Sequence, residues 1–380
     1  MRCTRKRCWR VHRPSERSCA RGCARRILWG RAWEEVTVPA DRSVLETAPL
    51  GFQWPTIDPF LFCVHHNDAY PAGDERMGVA PDLLKGRNMG SDFEVRDGFR
   101  MYHGQVVPGF PSHPHRGFET LTIARRGYID HSDSLGAKAR FGHGDAQWMT
   151  AGRGIVHSEM FPLVRADAGN PTELFQIWIN LPAAHKMVPA HFSMLWSEQI
   201  PVHRLTDARG HATVVTTVAG ALDGRLPPAP PPHSWASRGE AGLAVWTIEL
   251  EAHAEWTIPA GPSDAQRLLY VFAGGSVQLG EATVNAPRVA RMRPGTPIAL
   301  KNGDRPAELL MLQARPIGEP VARRGPFVMN SAQEIRQAFA DYQRTHFGGW
   351  PWPHNAPVHP RANGRFAVHA DGRHEEPGRR

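Results

Sequence analysis

Three histidines and a glutamate stand in two short patterns, His113-Pro114-His115 and His157-Ser158-Glu159. On a β-strand, residues i and i+2 point to the same face, about 7 Å apart along it. Each pattern therefore projects two ligand-type side chains together. Two such strands side by side bring three imidazoles and a carboxylate to one point. On a six-coordinate ion that leaves one or two positions open. Mixed nitrogen and oxygen ligation with open positions suits Fe(II), Mn, Ni or Cu, and admits Zn. One histidine among the chain's 20 says little, since most are surface or hydrogen-bonded residues. Two such pairs in glycine-rich β text say much more, and Glu119 follows the first by four residues.

The elements around them suit ligand strands. Residues 99–161 are dense in glycine and in short β-like runs spaced at about ten residues, as in sandwiches and barrels. Gly142-His143-Gly144-Asp145 and Gly152-Arg153-Gly154 form tight corners, the second just before His157. Gln147, Trp148 and Met149 between them are assigned to the core. In Leu174–Leu181, Phe175, Ile177 and Ile179 fall on one face, with Gln176, Trp178 and Asn180 on the other. Thr213–Val218, Trp246–Leu250, Leu268–Phe272, Ser276–Leu279 and Leu309–Gln313 continue the β pattern. Residues 99–220 and 240–315 thus look like two β-rich halves. A helix starts at Ser331 with Glu334 in a capping box, followed by the stripe Ile335, Ala338, Phe339, Tyr342. Residues 66–98, rich in Gly, Asp and Pro, predict a surface excursion near the ligand strands that flaps over their open end. Adjacent His65 and His66 face opposite ways on a strand and are poor ligands. Asp130–Ser134 reads as a polar turn.

Composition narrows the classes. The chain has 380 residues and a net charge of +8. Residues 1–31 hold eleven Lys/Arg against one acid, Glu16, so the remaining body is slightly acidic and has no basic patch for nucleic acid. Four of five cysteines (Cys3, Cys8, Cys19, Cys23) lie in that same tail, leaving Cys63 in the body. A disulfide-stapled fold is excluded and a reducing, cytoplasmic setting is expected. No window offers the ~20 apolar residues of a membrane span. No phosphate-binding glycine loop and no G-x-S-x-G elbow is present, which removes two large enzyme classes.

His113–Thr120 (HPHRGFET), Asp133–Gly136 (DSLG), Gly144–Met160 (GDAQWMTAGRGIVHSEM) and Gly325–Asn330 (GPFVMN) with its following helix resemble the pirin family of the cupin superfamily. The resemblance covers roughly residues 42–347. It implies an all-β bicupin, two antiparallel β-barrels of jelly-roll type with a C-terminal helix and the metal in the first barrel only. It further implies one divalent ion, Fe(II) before Mn, Ni, Cu or Zn, on His113, His115, His157 and Glu159, with Glu119 behind them. The family departs from this chain in the basic tail, the 66–98 excursion and the proline-rich insert.

The expected organisation is a disordered basic tail over 1–40, a metal-binding domain over 41–220 and a proline-rich linker over 221–239. A metal-free domain with the terminal helix follows over 240–347, then a disordered tail over 348–380. The implied function is a metal-dependent dioxygenase of quercetinase type, in which Glu159 is both ligand and proton acceptor for a flavonol or other enol. The alternative is a non-enzymatic metal or redox sensor that binds a transcription regulator or metabolic enzyme. A monomer is expected in either case, without direct nucleic-acid or membrane contact.

Overall fold

The computed structural model describes residues 43–378 together with the backbone of Glu34–Glu35. The tail and its four cysteines lie outside the described residues. The chain is mostly β, and all the named strand pairs are antiparallel.

Four sheets stack face to face. The first has six strands in the order His374–Glu375, Phe366–Val368, Lys138–Gly142, Tyr128–Asp133, Ile155–Met160, Gly109–His115. The second has five, His191–Leu195, Ala146–Thr150, Phe118–Arg126, Asn170–Asn180, Phe60–Tyr70. Between these two lie the side chains of Met149, Ile155, Phe161, Leu174 and Phe192. The second sheet turns its other face, Leu121, Trp148, Phe175, Ile177 and Ile179, against Val245, Leu268, Tyr270, Leu310 and Leu312 of an eight-stranded sheet. That third sheet packs its own far side, Ile248, Leu269, Val271 and Met311, on a four-stranded sheet carrying Val277, Leu279 and Leu300. A sheet buried on both faces needs near-continuous apolar runs, which explains Leu309–Leu312. Each half is a jelly-roll sandwich of two facing sheets rather than a closed barrel.

The halves interlock, unlike a division at residue 220. Val44–Pro49, Val202–Thr206 and Ala212–Ala219 hydrogen-bond into the eight-stranded sheet of the second half. The segment after 347, expected to be disordered, returns as a strap across the first half. Phe366–Val368 pairs with Lys138–Arg140, and Asn355 accepts from the Ser112 N–H at 2.7 Å. Arg140, fully buried, forks onto Asp130 and donates to the carbonyls of His359, Pro360 and Asn363. Order here comes from strand pairing and from backbone acceptors captured by distant donors, Arg140 foremost.

The excursion is also more than a surface flap. The strand Phe60–Tyr70 runs on into it, Met77 and Val79 within it are buried, and so are Phe99, Met101 and Tyr102 just after it. Its centre is the enclosed Arg87 guanidinium, which stacks 3.8 Å over Phe99 and bonds Asp92 at 2.9 Å. The helix forms as expected, Ala332–Thr345, with the Ser331 hydroxyl accepting from the Glu334 N–H. The Glu334 carboxylate reaches past the expected Ser331 N–H to that of Asn330. Its apolar stripe docks on Phe327 and Met329 and on Val156 of the His157 strand.

Candidate metal centre

The strands Gly109–His115 and Ile155–Met160 lie side by side, with His113 directly opposite His157. A register shift between Phe110 and His113 bends the first strand and aims its imidazoles inward. Gly109 permits the approach: its φ is +127°, and a Cβ there would stand 2.5 Å from the Glu159 carbonyl oxygen. One ring nitrogen each from His113, His115 and His157 lies within 4.8 Å of the others. Glu159 follows on the same face, its Oε2 3.8 Å from His157 Nε2.

Burial sets the protonation of the group. It lowers His113 to about 4, against a hydrogen bond to the Pro111 carbonyl that acts the other way. His115 and His157 fall well below the ordinary imidazole value, again through burial and then through neighbouring imidazoles. All three are neutral at pH 7, with a lone pair to give. At His113 the tautomer follows from the partner, because a carbonyl only accepts: Nδ1, 2.8 Å from Pro111 O, carries the proton and Nε2 is free. His115 Nδ1 and both nitrogens of His157 have no hydrogen-bond partner among the described residues. Leaving such groups buried and unpaired costs about 1–3 kcal/mol each. A divalent ion at the cluster satisfies the facing nitrogens, and the donor set fits one.

Glu159 is held at both oxygens. Gln176 Nε2 donates to Oε2 at 3.1 Å, and the single Thr122 hydroxyl proton is shared between Oε1 at 3.0 Å and Gln176 Oε1 at 2.5 Å. Burial raises its pKa above the usual carboxylate range, while His131 and these two donors pull it back. His131 is on the strand Tyr128–Asp133, opposite Glu159, where a polar turn was expected. Its ring centroid is 5.5 Å from that of His157, and Nε2 bonds Asp133 at 3.0 Å. Glu119 is not behind the cluster. Its carboxylate accepts from Thr150 at 2.6 Å and from Ser234 at 2.5 Å, and so anchors the proline-rich segment.

A cavity of about 120 Å³ opens onto the cluster, walled by Phe52, Phe93, Phe110, Phe161 and Trp178. Phe93 comes from the excursion, so that segment contributes one wall of the cavity. Thr122, Gln176 and His66 also line it, and sequence reasoning assigned none of them to the site. The available signal was the mixed face Gln176, Trp178, Asn180 opposite an apolar one. Such a face can meet either solvent or a cavity.

A family model described as pirin matches residues 75–179, and one described as the pirin C-terminal cupin domain matches 245–348. The chain belongs to the pirin family. The first match contains all four candidate ligands. Pirin-1 of Arabidopsis thaliana is 36% identical over 63% of this chain and 78% of its own length. A Pseudomonas aeruginosa protein, named provisionally as a quercetin 2,3-dioxygenase, is 35% identical over 63% of this chain and 79% of its own. The crystal structure of a quercetin 2,3-dioxygenase from Acinetobacter baumannii superposes with a TM-score of 0.62 at 26% identity, covering 81% of this chain and 98% of that one. The two stacked sandwiches are accordingly a bicupin. Among the described residues, no helix is long and apolar enough to cross a membrane.

Proposed function

We propose that His113, His115, His157 and Glu159 hold one divalent metal ion, Fe(II) before Mn, Ni, Cu or Zn, and that the cavity oxygenates a flavonol or a similar aromatic enol. The observation that carries this reading is the convergence of three neutral, under-partnered imidazoles beside a buried carboxylate at the floor of an aromatic cavity. The ion supplies Lewis acidity and redox chemistry when bound. The residues do the rest. Phe110, Phe161 and Trp178 bury the rings of the substrate and exclude water from the carboxylate. Glu159, raised by burial, accepts the enolic proton, and Thr122 and Gln176 hold the carboxylate in place to receive it. The relative named provisionally as a quercetinase and the solved quercetinase support the substrate class.

The test is oxygen consumption by iron-loaded protein with a flavonol panel. Turnover is expected for at least one member. Thr122→Val, which removes one donor from Glu159, is expected to lower kcat about tenfold with metal content unchanged. A protein that binds its ion and consumes no oxygen with any member contradicts the enzymatic reading and favours the sensing alternative.

A further inference from the structure

The strand Phe60–Tyr70 sends Phe62, Val64 and His66 into the cavity as every second residue. Val64 stands opposite Gln176, which touches Glu159, and His66 lies one inward position farther on, opposite Leu174. That step is about 7 Å along the strand. Phe110 bridges the distance, its ring 6.4 Å from His113 and 5.9 Å from His66.

His66 is buried, and only one of its nitrogens has a protein partner. Nδ1 lies 2.8 Å from the Tyr102 hydroxyl, which donates to Asp68 Oδ2 at 2.7 Å. Asp68 is gripped by Arg100 through both oxygens, at 2.9 and 3.1 Å, and is an acceptor only. The single tyrosine proton is thus spent on Asp68, so the His66–Tyr102 contact needs the proton of His66 Nδ1. This fixes the tautomer: Nε2 is a bare lone pair, with no hydrogen bond among the described residues, on a ring that lines the cavity. Burial and Arg100 also oppose protonation of the ring. Tyr102 is held at φ +56°, uncommon and costly for a bulky side chain. The strain accompanies the placing of its hydroxyl between Asp68 and His66.

We propose that His66 Nε2 is a specificity-determining acceptor for a hydroxyl or N–H of the substrate, across Phe110 from the metal cluster. The preferred ligand is an aromatic enol that chelates at one end and carries a free hydroxyl on the ring distal to the chelating pair. This rests on the proposed function for the chelating end and adds the distal one.

The test is binding, read by tryptophan fluorescence quenching on iron-loaded protein kept anaerobic so that no turnover intervenes. The probes are quercetin and its mono-O-methyl ethers that leave the chelating 3-hydroxyl and 4-carbonyl free. One ether is expected to bind about ten- to a hundredfold more weakly than quercetin, because it leaves Nε2 buried and unpaired. In His66→Phe that ratio is expected to fall to near one, with metal content unchanged. His66→Gln, which keeps an acceptor oxygen, restores part of it. Tyr102→Phe, which frees the tautomer, reduces it several-fold and covers the case that His66→Phe does not fold. Equal binding of all ethers by the wild type, or a full ratio surviving in His66→Phe, overturns the proposal while leaving the dioxygenase reading intact. Discrimination without turnover in air sinks only that reading, and no binding by any probe overturns both.

Discussion

The two sandwiches use the same frame for opposite purposes. In the second half, the inward positions of Ala244–Leu250, Gln266–Ala273 and Ala307–Ala314 carry Ile248, Leu250, Leu269, Val271, Leu309 and Met311, and the interior is closed. In the first half, the strands Gly109–His115 and Ile155–Met160 carry His113, His115, His157 and Glu159 inward, and a cavity remains. Filling with aliphatic side chains stabilises by roughly 1.5–3 kcal/mol for each one buried. Placing imidazoles and a carboxylate there forgoes that gain. The first half recovers stability from outside its sandwich: the strap after residue 347, the Arg87-centred excursion and the docked helix all lie on it.

The strap offers the largest way to break that contrast. Ending the chain at 347 strips Arg140 of three carbonyl acceptors and leaves its buried pair with Asp130 opened to one side. Hydrogen bonds to a charged group contribute about 1.5–3 kcal/mol each, and water entering at the opened side replaces part of that. Calorimetry is expected to show the first half melting several degrees earlier, separated from an unshifted second half. One undisturbed transition would mean the strap is not structural support.

A smaller effect sharpens the comparison from the other direction. His157→Leu makes the first interior resemble the second. It exchanges a buried ring with two unpartnered nitrogens for an aliphatic group. Stability without metal is expected to change by less than about 1 kcal/mol, or to rise, since removing unsatisfied polar groups is near neutral or favourable. The pH dependence should change as well. Unfolded imidazoles titrate near 6.5 and folded His113 near 4. In that window the unfolded chain binds more protons, so metal-free stability falls as pH drops from about 6.5 to 4. His157 is lowered too, so the leucine variant should lose less over the same range. An equal loss in both proteins would remove His157 from this balance.

The smallest effect concerns the basic tail. Deleting residues 1–32 is expected to leave melting temperature and metal content unchanged, because few apolar residues and high charge give that segment little to bury. Zinc lost together with the tail would point to its cysteines instead.

What was legible in the sequence was short-range. The i, i+2 spacing of His113/His115 and His157/Glu159, the Ser331–Glu334 cap and the alternation in Leu174–Leu181 are all local patterns, and each appears in the structure. What was not legible depended on partners far along the chain. Glycine and proline around Met77, Val79, Phe99 and Tyr102 hid a packed element with no hydrophobic period. The strap has a polar composition, and its order depends on distant partners: Arg140, some 220 residues earlier, the Ser112 N–H and the strand Lys138–Gly142. His65 and His66 do face opposite ways, to Glu173 and to the cavity, but only the tertiary fold shows that the second side is enclosed. The resemblance puts Glu119 behind the cluster, and its partners are Thr150 and Ser234, the second in the proline-rich segment far along the chain.

The central claim is that the first half is hollow in order to hold an ion. Elemental analysis of protein purified without added metal, alongside His115→Ala and Glu159→Ala, tests it most directly. The expected result is about one divalent ion per chain in the wild type, well below that in both variants, with unchanged far-UV circular dichroism. A wild type without metal, or variants that keep as much metal as the wild type, would contradict it.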